Sequence, residues 1–317
     1  MTVYPRRFAL LLVLLLAMAA IGATIKLPNA AQRAAALGSL DGMPPAMRRA
    51  FDARGFLTVP IPGSLDWLAN HEEPGQRVDE FIGSHPNLPA SPRRKLYLLP
   101  LGEIERSGGP PAARLAEFAS AFFGLETTVL PALDVSRIKV ARRRNAATRT
   151  EQLLTTDVLA ILKSRLPADA YALLGVTMAD LYPAEDWNFV FGQASLRDRV
   201  GIYGFSRFDP GPKGERGGDG GQVMLRRSCQ ILAHEAGHMF GIAHCTWYRC
   251  VMNGSNHLAE SDGQPLHLCP VDLRKLQWSA GFDIAARYRR LLAFSTAAGF
   301  TAEAEWLRAR LREIEGR

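Results

Sequence analysis

Three histidines occur at short, regular spacing in the run HEAGHMFGIAH, residues 234–244. His234 and His238 are four residues apart, so on a helix their side chains lie on one face, one turn apart. Both imidazoles can then bind one metal ion at the Zn–N distance of about 2.0–2.1 Å. Gly241 can end the helix because glycine enters left-handed geometry at little cost, and the turn returns His244 as a third ligand. Three nitrogen ligands leave a fourth position for water, which is typical of a catalytic zinc.

Glu235 follows the first histidine of this run. We expect its side chain beside the two imidazoles, where it can take a proton from a metal-activated water without binding the metal. Met252 lies shortly downstream in a turn-like segment, and HExxHxxGxxH followed by a methionine is far more specific than HExxH alone. The pattern predicts a zinc-dependent hydrolase of peptide bonds with Glu235 as general base. A non-catalytic zinc-binding recognition module is the alternative, and the intact Glu235 disfavours it.

Four cysteines crowd around these histidines: Cys229, Cys245, Cys250 and Cys269. An even number of cysteines in an exported protein is typical of disulfides, whereas crowding around a metal motif is typical of metal ligation. Cys229 lies on the same predicted helix as the histidines, so we expect it to be a buried helix residue.

The chain resembles the archaemetzincins, a branch of the metzincin zinc peptidases in which a cysteine directly follows the third histidine. Cys245, Cys250 and Met252 match the family's pattern. Four further segments resemble those of the family, at residues 174–183, 186–195, 252–257 and 269–276.

The resemblance spans roughly residues 95–276 and implies a zincin-like fold. Its parts would be a mixed, mostly parallel twisted sheet, an active-site helix, a Met-turn around Met252 and a small C-terminal subdomain. It also implies that the substrate is a peptide or protein, and aminopeptidase and endopeptidase action both stay open.

The family holds a second zinc with four cysteines, and the fourth cysteine position is Asp272 in this chain. Cys245, Cys250 and Cys269 supply three thiolates, and a carboxylate can also ligate zinc, so Asp272 can complete the site. His267 is another candidate, because it lies two residues before Cys269 and alternate residues of an extended chain point to one side. Two alternatives stay open: a disulfide between two of the three cysteines, and reduced thiols without metal.

Other polar and aromatic candidates have weaker support. His71, His85 and His257 have no partner at ligand spacing, and we expect them in loops. Trp247 and Tyr248 lie between two of the cysteines, either near the cleft or packed over the second site.

A basic run occupies residues 141–145, and the net charge of the chain is +7. No aromatic residues alternate with these arginines, so we expect a solvated loop between a strand and a helix and no nucleic-acid partner.

The amino terminus has the layout of a secretory signal. Arg6 and Arg7 precede an apolar run at residues 8–21 that ends in small residues. An uncleaved anchor at residues 8–25 is the alternative, since this stretch approaches the ~20 residues needed to span a bilayer. Both interpretations predict an exported protein, periplasmic or secreted, with no other membrane contact.

The elements that must position these residues follow an α/β pattern. We expect strands at residues 95–102, 127–133, 170–178, 188–194 and 200–208, and helices at residues 46–54, 110–123, 149–166 and 222–241. This order indicates a mostly parallel sheet, and the last helix carries the histidines. The strand at residues 189–194 is the candidate edge for pairing with an extended peptide.

These patterns divide the chain into four parts. We predict a signal peptide or anchor at residues 1–23, an N-terminal extension or propeptide-like segment at 24–94, a catalytic domain at 95–282, and a C-terminal tail of two helices at 283–317. The glycine-rich residues 209–221 lack the strand–loop–helix pattern of a phosphate site, so we expect a connector there.

Overall fold

The computed structural model describes residues 26–208 and 220–317. The predicted signal or anchor, and most of the glycine-rich connector, lie outside the described residues. Among the helices that the structure describes, none combines the length and apolar character that crossing a membrane requires.

Two sheets form in the described part of the chain. Their strands are β1 (Lys95–Leu101), β2 (Thr127–Val129), β3 (Arg142–Arg144), β4 (Glu151–Leu154), β5 (Ala170–Thr177), β6 (Asp180–Tyr182), β7 (Gly192–Ser195) and β8 (Val200–Gly204). The larger sheet has the order β2-β1-β5-β8-β7, in which β7 is an antiparallel edge strand and the other four are parallel. The smaller sheet has the order β3-β4-β6. The predicted mixed and mostly parallel arrangement is therefore confirmed.

Helices cover both faces of the larger sheet. They are α1 (Ala30–Leu37), α2 (Pro45–Ala50), α3 (Trp67–Asn70), α4 (Val78–Gly83), α5 (Ala112–Phe123), α6 (Thr155–Ser164), α7 (Gly220–Met239), α8 (Leu258–Asp262), α9 (Pro270–Ala280), α10 (Ile284–Ala297) and α11 (Thr301–Glu315). Leu96 and Leu98 of β1 pack into the core shared with α5 and α7, while Leu99 and Leu101 pack into the core shared with α6. This two-sided burial follows from the alternation of side chains along a strand.

Three secondary-structure predictions are wrong in whole or in part. The helix predicted at residues 149–166 begins only at Thr155, and the residues before it form β4, which pairs with β6 in parallel. The basic run predicted as a loop contains β3, which pairs with β4 antiparallel. In both places a strand partner distant in sequence overrides the local pattern, which is common because strand preference depends on context. The predicted strand at 188–194 also starts late, at Gly192.

The segment before β1 packs against the rest of the fold. Phe51 and Phe81 are fully buried in the main hydrophobic core. The hydroxyl of Tyr171 in β5 donates to the Asn87 carbonyl oxygen at 3.0 Å. The segment's helices α2 and α4 contact α11 and α9. The boundary at residue 94 stays a prediction, and the residues on its two sides share one core.

Candidate functional site

Helix α7 places His234 and His238 on one face, and their Nε2 atoms lie 3.1 Å apart. Nδ1 of His234 lies 2.9 Å from the Val251 carbonyl oxygen, and Nδ1 of His238 lies 2.7 Å from that of Ile242. Because a carbonyl oxygen only accepts, each Nδ1 carries the proton and each Nε2 keeps its lone pair. Burial lowers the pKa of His238 to about 4 and that of His234 well below its usual value, so both rings are neutral.

The chain leaves α7 through a tight turn at Gly241. This residue has φ +83°, and its N–H donates to the His238 carbonyl oxygen at 2.8 Å, as in a Schellman turn. The turn brings His244 back towards the helix, where its ring centroid lies 5.2 Å from that of His234 and 5.0 Å from that of His238. The sequence prediction placed Gly241 in this role, and the structure confirms the turn.

The three histidines fit a zinc ion. One ring nitrogen from each lies within 4.8 Å of the other two. A tetrahedral ion held at about 2.0–2.1 Å places its nitrogen ligands about 3.3 Å apart, close to the separation found between His234 and His238. Nδ1 of His244 lies 2.8 Å from Oε1 of Glu73, so its Nε2 is the nitrogen available to a metal. The donor set therefore consists of three imidazoles, and in each of them the other ring nitrogen already has a hydrogen-bond partner.

Glu235 lies in the wall of a cavity of about 390 Å³ that the three histidines also line. Much of the remaining lining is aromatic or aliphatic: Trp67, Trp187, Phe189, Val190, Phe191 and Ile231. The edge strand β7 enters the lining at Gly192. Burial raises the pKa of Glu235 to about 7, so its carboxyl group can hold or release a proton near neutral pH.

Met252 packs against α7 at Gly237, between His234 and His238 in the chain. It is fully buried, and a Cβ placed on Gly237 would lie 2.5 Å from its Sδ atom. Glycine is therefore needed between His234 and His238, because a larger residue would displace the methionine. Met252 therefore packs against α7 between the first two histidines in sequence, and its role as the apolar base of the site stays a prediction.

The second predicted cluster also assembles. Cys245, Cys250, Cys269 and Asp272 are buried, and their ligand atoms lie within 4.8 Å of one another. The Sγ atoms of Cys245 and Cys269 are 3.5 Å apart, and Oδ2 of Asp272 lies 3.4 Å from Cys250 Sγ and 3.5 Å from Cys269 Sγ. A tetrahedral zinc with ligands at about 2.3 Å for sulfur and 2.0–2.2 Å for oxygen gives separations of about 3.5–3.8 Å. This cage fits zinc with the carboxylate as the fourth ligand.

A buried lysine pairs with the carboxylate of the second cluster. Nζ of Lys275 lies 2.8 Å from Oδ1 of Asp272, so only Oδ2 faces the sulfurs. Burial, followed by the nearby Cys245 sulfur, raises the pKa of Asp272 to about 7, and the Lys275 ammonium opposes this shift. Burial alone would lower the pKa of Lys275, but the Asp272 carboxylate and the sulfurs raise it, so the lysine stays charged.

Several candidates lie outside both clusters. His267 is not among the ligand atoms of the second cluster, because its Nδ1 lies 3.0 Å from Glu303 Oε1 and its ring stacks on Trp306. Cys229 is fully buried in α7, as predicted. Tyr248 is also buried and packs against Phe56, away from the cavity lining.

The remaining predicted positions are structural or exposed. Trp247 is buried, and its indole N–H donates to the Gln76 carbonyl oxygen at 3.1 Å. His71 and His85 are exposed. His257 caps α8 through Nδ1 and lies 3.0 Å from Asp66 through Nε2, so both of its ring nitrogens are engaged.

The sequence does not predict two residues that contact the site. Glu73 and Trp67 come from the segment before β1 and contact His244 from 171 and 177 positions away. No local spacing connects them to the histidines, so an isolated sequence gives no signal for them. The pairing of Lys275 with Asp272 could have been predicted, because residues three apart on a helix lie on the same face.

Comparison with known proteins identifies the family. The model of peptidase family M54 matches residues 136–278. Archaemetzincin-2 from Macaca fascicularis is 37% identical over 275 residues, which cover 78% of this chain and 76% of that relative. The chain belongs to the archaemetzincin family. Membership makes it a zinc metallopeptidase, and the predicted resemblance is confirmed over more of the chain than residues 95–276.

Archaemetzincin-1 and two archaeal archaemetzincins have lower sequence identity to this chain. Archaemetzincin-1 from Homo sapiens is 32% identical over 270 residues, covering 76% of this chain and 54% of that relative. The solved archaemetzincin of Archaeoglobus fulgidus, in complex with malonate, is 30% identical, with a TM-score of 0.44 and coverage of 57% of this chain and 99% of that one. The Methanopyrus kandleri archaemetzincin is 28% identical, with a TM-score of 0.45 and coverage of 61% and 99%.

Proposed function

We propose that this archaemetzincin-family member hydrolyses peptide bonds with Glu235 as general base and with a zinc ion held by His234, His238 and His244. The observation that carries the proposal is the convergence of three metal-competent imidazoles beside a carboxyl group in one cavity. Zinc bound there would supply a Lewis acid and lower the pKa of a bound water.

The chain's own residues would perform the proton transfers and the positioning. Glu235 takes a proton from the attacking water and passes it to the leaving amine. Among the described strands of the larger sheet, β7 has a neighbour on one side only, and it borders the cavity at Gly192. An extended substrate would pair with this edge through main-chain hydrogen bonds, while the aromatic lining accepts its side chains.

Glu235→Gln tests this proposal. The amide keeps the shape of the side chain but cannot accept the proton, so kcat should fall by about 10²- to 10⁴-fold on a mixed peptide library. Zinc content should be unchanged, and Glu105→Gln, at an exposed glutamate, should behave as wild type. Equal product from wild type and Glu235→Gln would reject the peptidase mechanism and favour a non-catalytic recognition module.

Cleavage within peptides is the mode that the cavity favours. Apart from Glu235, its described lining contains no carboxylate that could bind the free amino group of a substrate. Peptides with acetylated and free amino termini should therefore be cleaved at similar rates. A strict need for the free terminus would instead establish aminopeptidase action.

The second cluster is proposed to hold a structural zinc. Its four candidate ligands come from the turn after His244 and from the start of α9, so the metal would fasten these two segments together. All four protein positions are filled, which is typical of structural and not catalytic zinc.

Export is proposed from the amino-terminal sequence. Either residues 1–23 are removed as a signal peptide, or residues 8–25 anchor the chain. Amino-terminal sequencing of the protein from the membrane and soluble extracytoplasmic fractions would separate the two. Recovery in the cytoplasm would reject both.

A further inference from the structure

Glu73 lies in the segment ahead of β1, yet its carboxylate contacts a proposed zinc ligand. Its Oε1 atom lies 2.8 Å from Nδ1 of His244, and both side chains are largely buried. We propose that Glu73 is a positioning residue for His244, so that residues 64–76 are part of the catalytic centre and not a removable propeptide. This inference rests on the proposed function of the three histidines.

Glu73 differs from the partners of the other two histidines. His234 and His238 donate to main-chain carbonyl oxygens, whereas His244 donates to a carboxylate. A carboxylate makes a stronger, charge-assisted hydrogen bond and increases the basicity of the opposite ring nitrogen. His244 is the ligand that needs such support, because it lies on a turn and not on α7.

The second oxygen of Glu73 supports the same role. Oε2 is buried and has no described partner at ordinary hydrogen-bond geometry, although the Trp67 indole lies close enough to help lower the pKa of Glu73. Burying a carboxylate is unfavourable unless other groups compensate it. The contacts with His244, and secondarily with Trp67, offset this cost.

The neighbouring residues hold Glu73 in place. Gln76 receives the Ala243 N–H at 3.2 Å and donates to the Gly241 carbonyl oxygen at 3.1 Å, so it spans the turn that carries His244. Gly75 has φ +74°, and a Cβ there would lie 2.2 Å from the Thr246 hydroxyl oxygen. The close approach requires glycine at this position.

Trp67 holds the other side of the His244 ring. The two rings meet edge to face, with centroids 5.0 Å apart, and Trp67 also stacks on His71 at 3.7 Å. The main-chain N–H of Trp67 donates to Oε1 of Glu260 at 2.9 Å. Glu260 belongs to α8, which follows the Met-turn, so this hydrogen bond attaches the segment around Trp67 to α8. Trp67 lines the cavity as well, so the segment contributes to its wall.

The test compares zinc affinity in full-length wild type, Glu73→Ala, Glu73→Gln and Glu72→Ala. Zinc is titrated in competition with a chromophoric chelator. The zinc-binding event that disappears in His234→Ala is assigned to the three-histidine site. Glu73→Ala should lower the zinc affinity of this site by about 10- to 100-fold. Glu73→Gln should lose less because its oxygen still accepts, and Glu72→Ala, at the exposed neighbour, should lose nothing.

Two results would overturn the proposal. One is a zinc affinity of Glu73→Ala within two-fold of wild type, and the other is an equal loss in Glu72→Ala. If Glu73→Ala fails to fold, the zinc affinity of Glu73→Gln tests the proposal instead, because glutamine lacks the negative charge. A wild-type zinc affinity in Glu73→Gln would exclude a charge-assisted role for Glu73. If the wild type binds zinc at this site but does not cleave peptides, the proposed function is rejected. The zinc affinities of the variants would still test the role of Glu73.

Discussion

The side chains of His244 and Cys245 enter two different clusters of candidate metal ligands although the residues are adjacent in the chain. The N–H of Cys245 donates to the Met252 carbonyl oxygen at 2.8 Å, and Asn253 donates to the Cys245 carbonyl oxygen at 2.7 Å. The turn that carries His244 is therefore closed by the same segment that supplies the second cluster. Any metal in that cluster should stabilise the position of His244.

Metal counting should find two zinc ions per chain, and Asp272→Ala should lower the count to one. The substitution removes the fourth ligand and leaves three buried sulfurs, so binding at this site should be lost while the three histidines keep theirs. Elemental analysis of the dialysed protein measures the count, and Asp272→Cys should retain two ions. One ion in wild type, with a mass two hydrogens below that of the reduced chain, would establish a disulfide instead.

Lys275→Met should destabilise the metal-free protein by about 1–3 kcal/mol, because it leaves the buried Asp272 carboxyl group without its partner, and that group, whose pKa is already about 7, would then protonate. Urea unfolding in the presence of a chelator measures this loss. Lys163→Met is the matched control, since Lys163 pairs with Asp198 at 2.9 Å on the surface and should cost at most about 1 kcal/mol. Similar losses in the two variants would contradict a special role for the buried pair.

The sequence predicted the parts of the site that depend on local geometry. His234 and His238 share a helix face because of their spacing, and Gly241 ends that helix because it can adopt a positive φ. The second cluster was predicted from the resemblance to the archaemetzincins, in which Asp272 stands at the position of the fourth cysteine. The inferences about the histidines and Gly241 need only the residues of the motif itself.

The features that the sequence did not predict depend on contacts between distant segments. Glu73 reaches His244 across 171 positions, and β4 forms because β6 lies beside it. Residues 149–154 have no strong strand pattern of their own, so the partner decides their conformation. Such contacts appear only once the chain is folded.

Cys229 should resist alkylation in the folded protein. Burial raises the pKa of its thiol far above the usual range, so almost no thiolate forms at pH 8, and the side chain is fully buried. Iodoacetamide labelling followed by peptide mass mapping should find Cys229 unmodified until the protein is unfolded in urea. Equal labelling rates in folded and unfolded protein would contradict its buried position in α7.

Gly237→Ala should destabilise the protein by about 1–3 kcal/mol, because the new Cβ would lie 2.5 Å from Sδ and 2.9 Å from Cε of Met252. Alanine in place of glycine within a helix otherwise stabilises by about 1 kcal/mol, so the sign of the change identifies the steric conflict. Urea unfolding of the zinc-loaded protein gives the measurement. Met252→Ala removes the obstructing side chain, so Gly237→Ala should cost less in that background than in wild type. An equal cost in both backgrounds would show that Met252 does not press against α7.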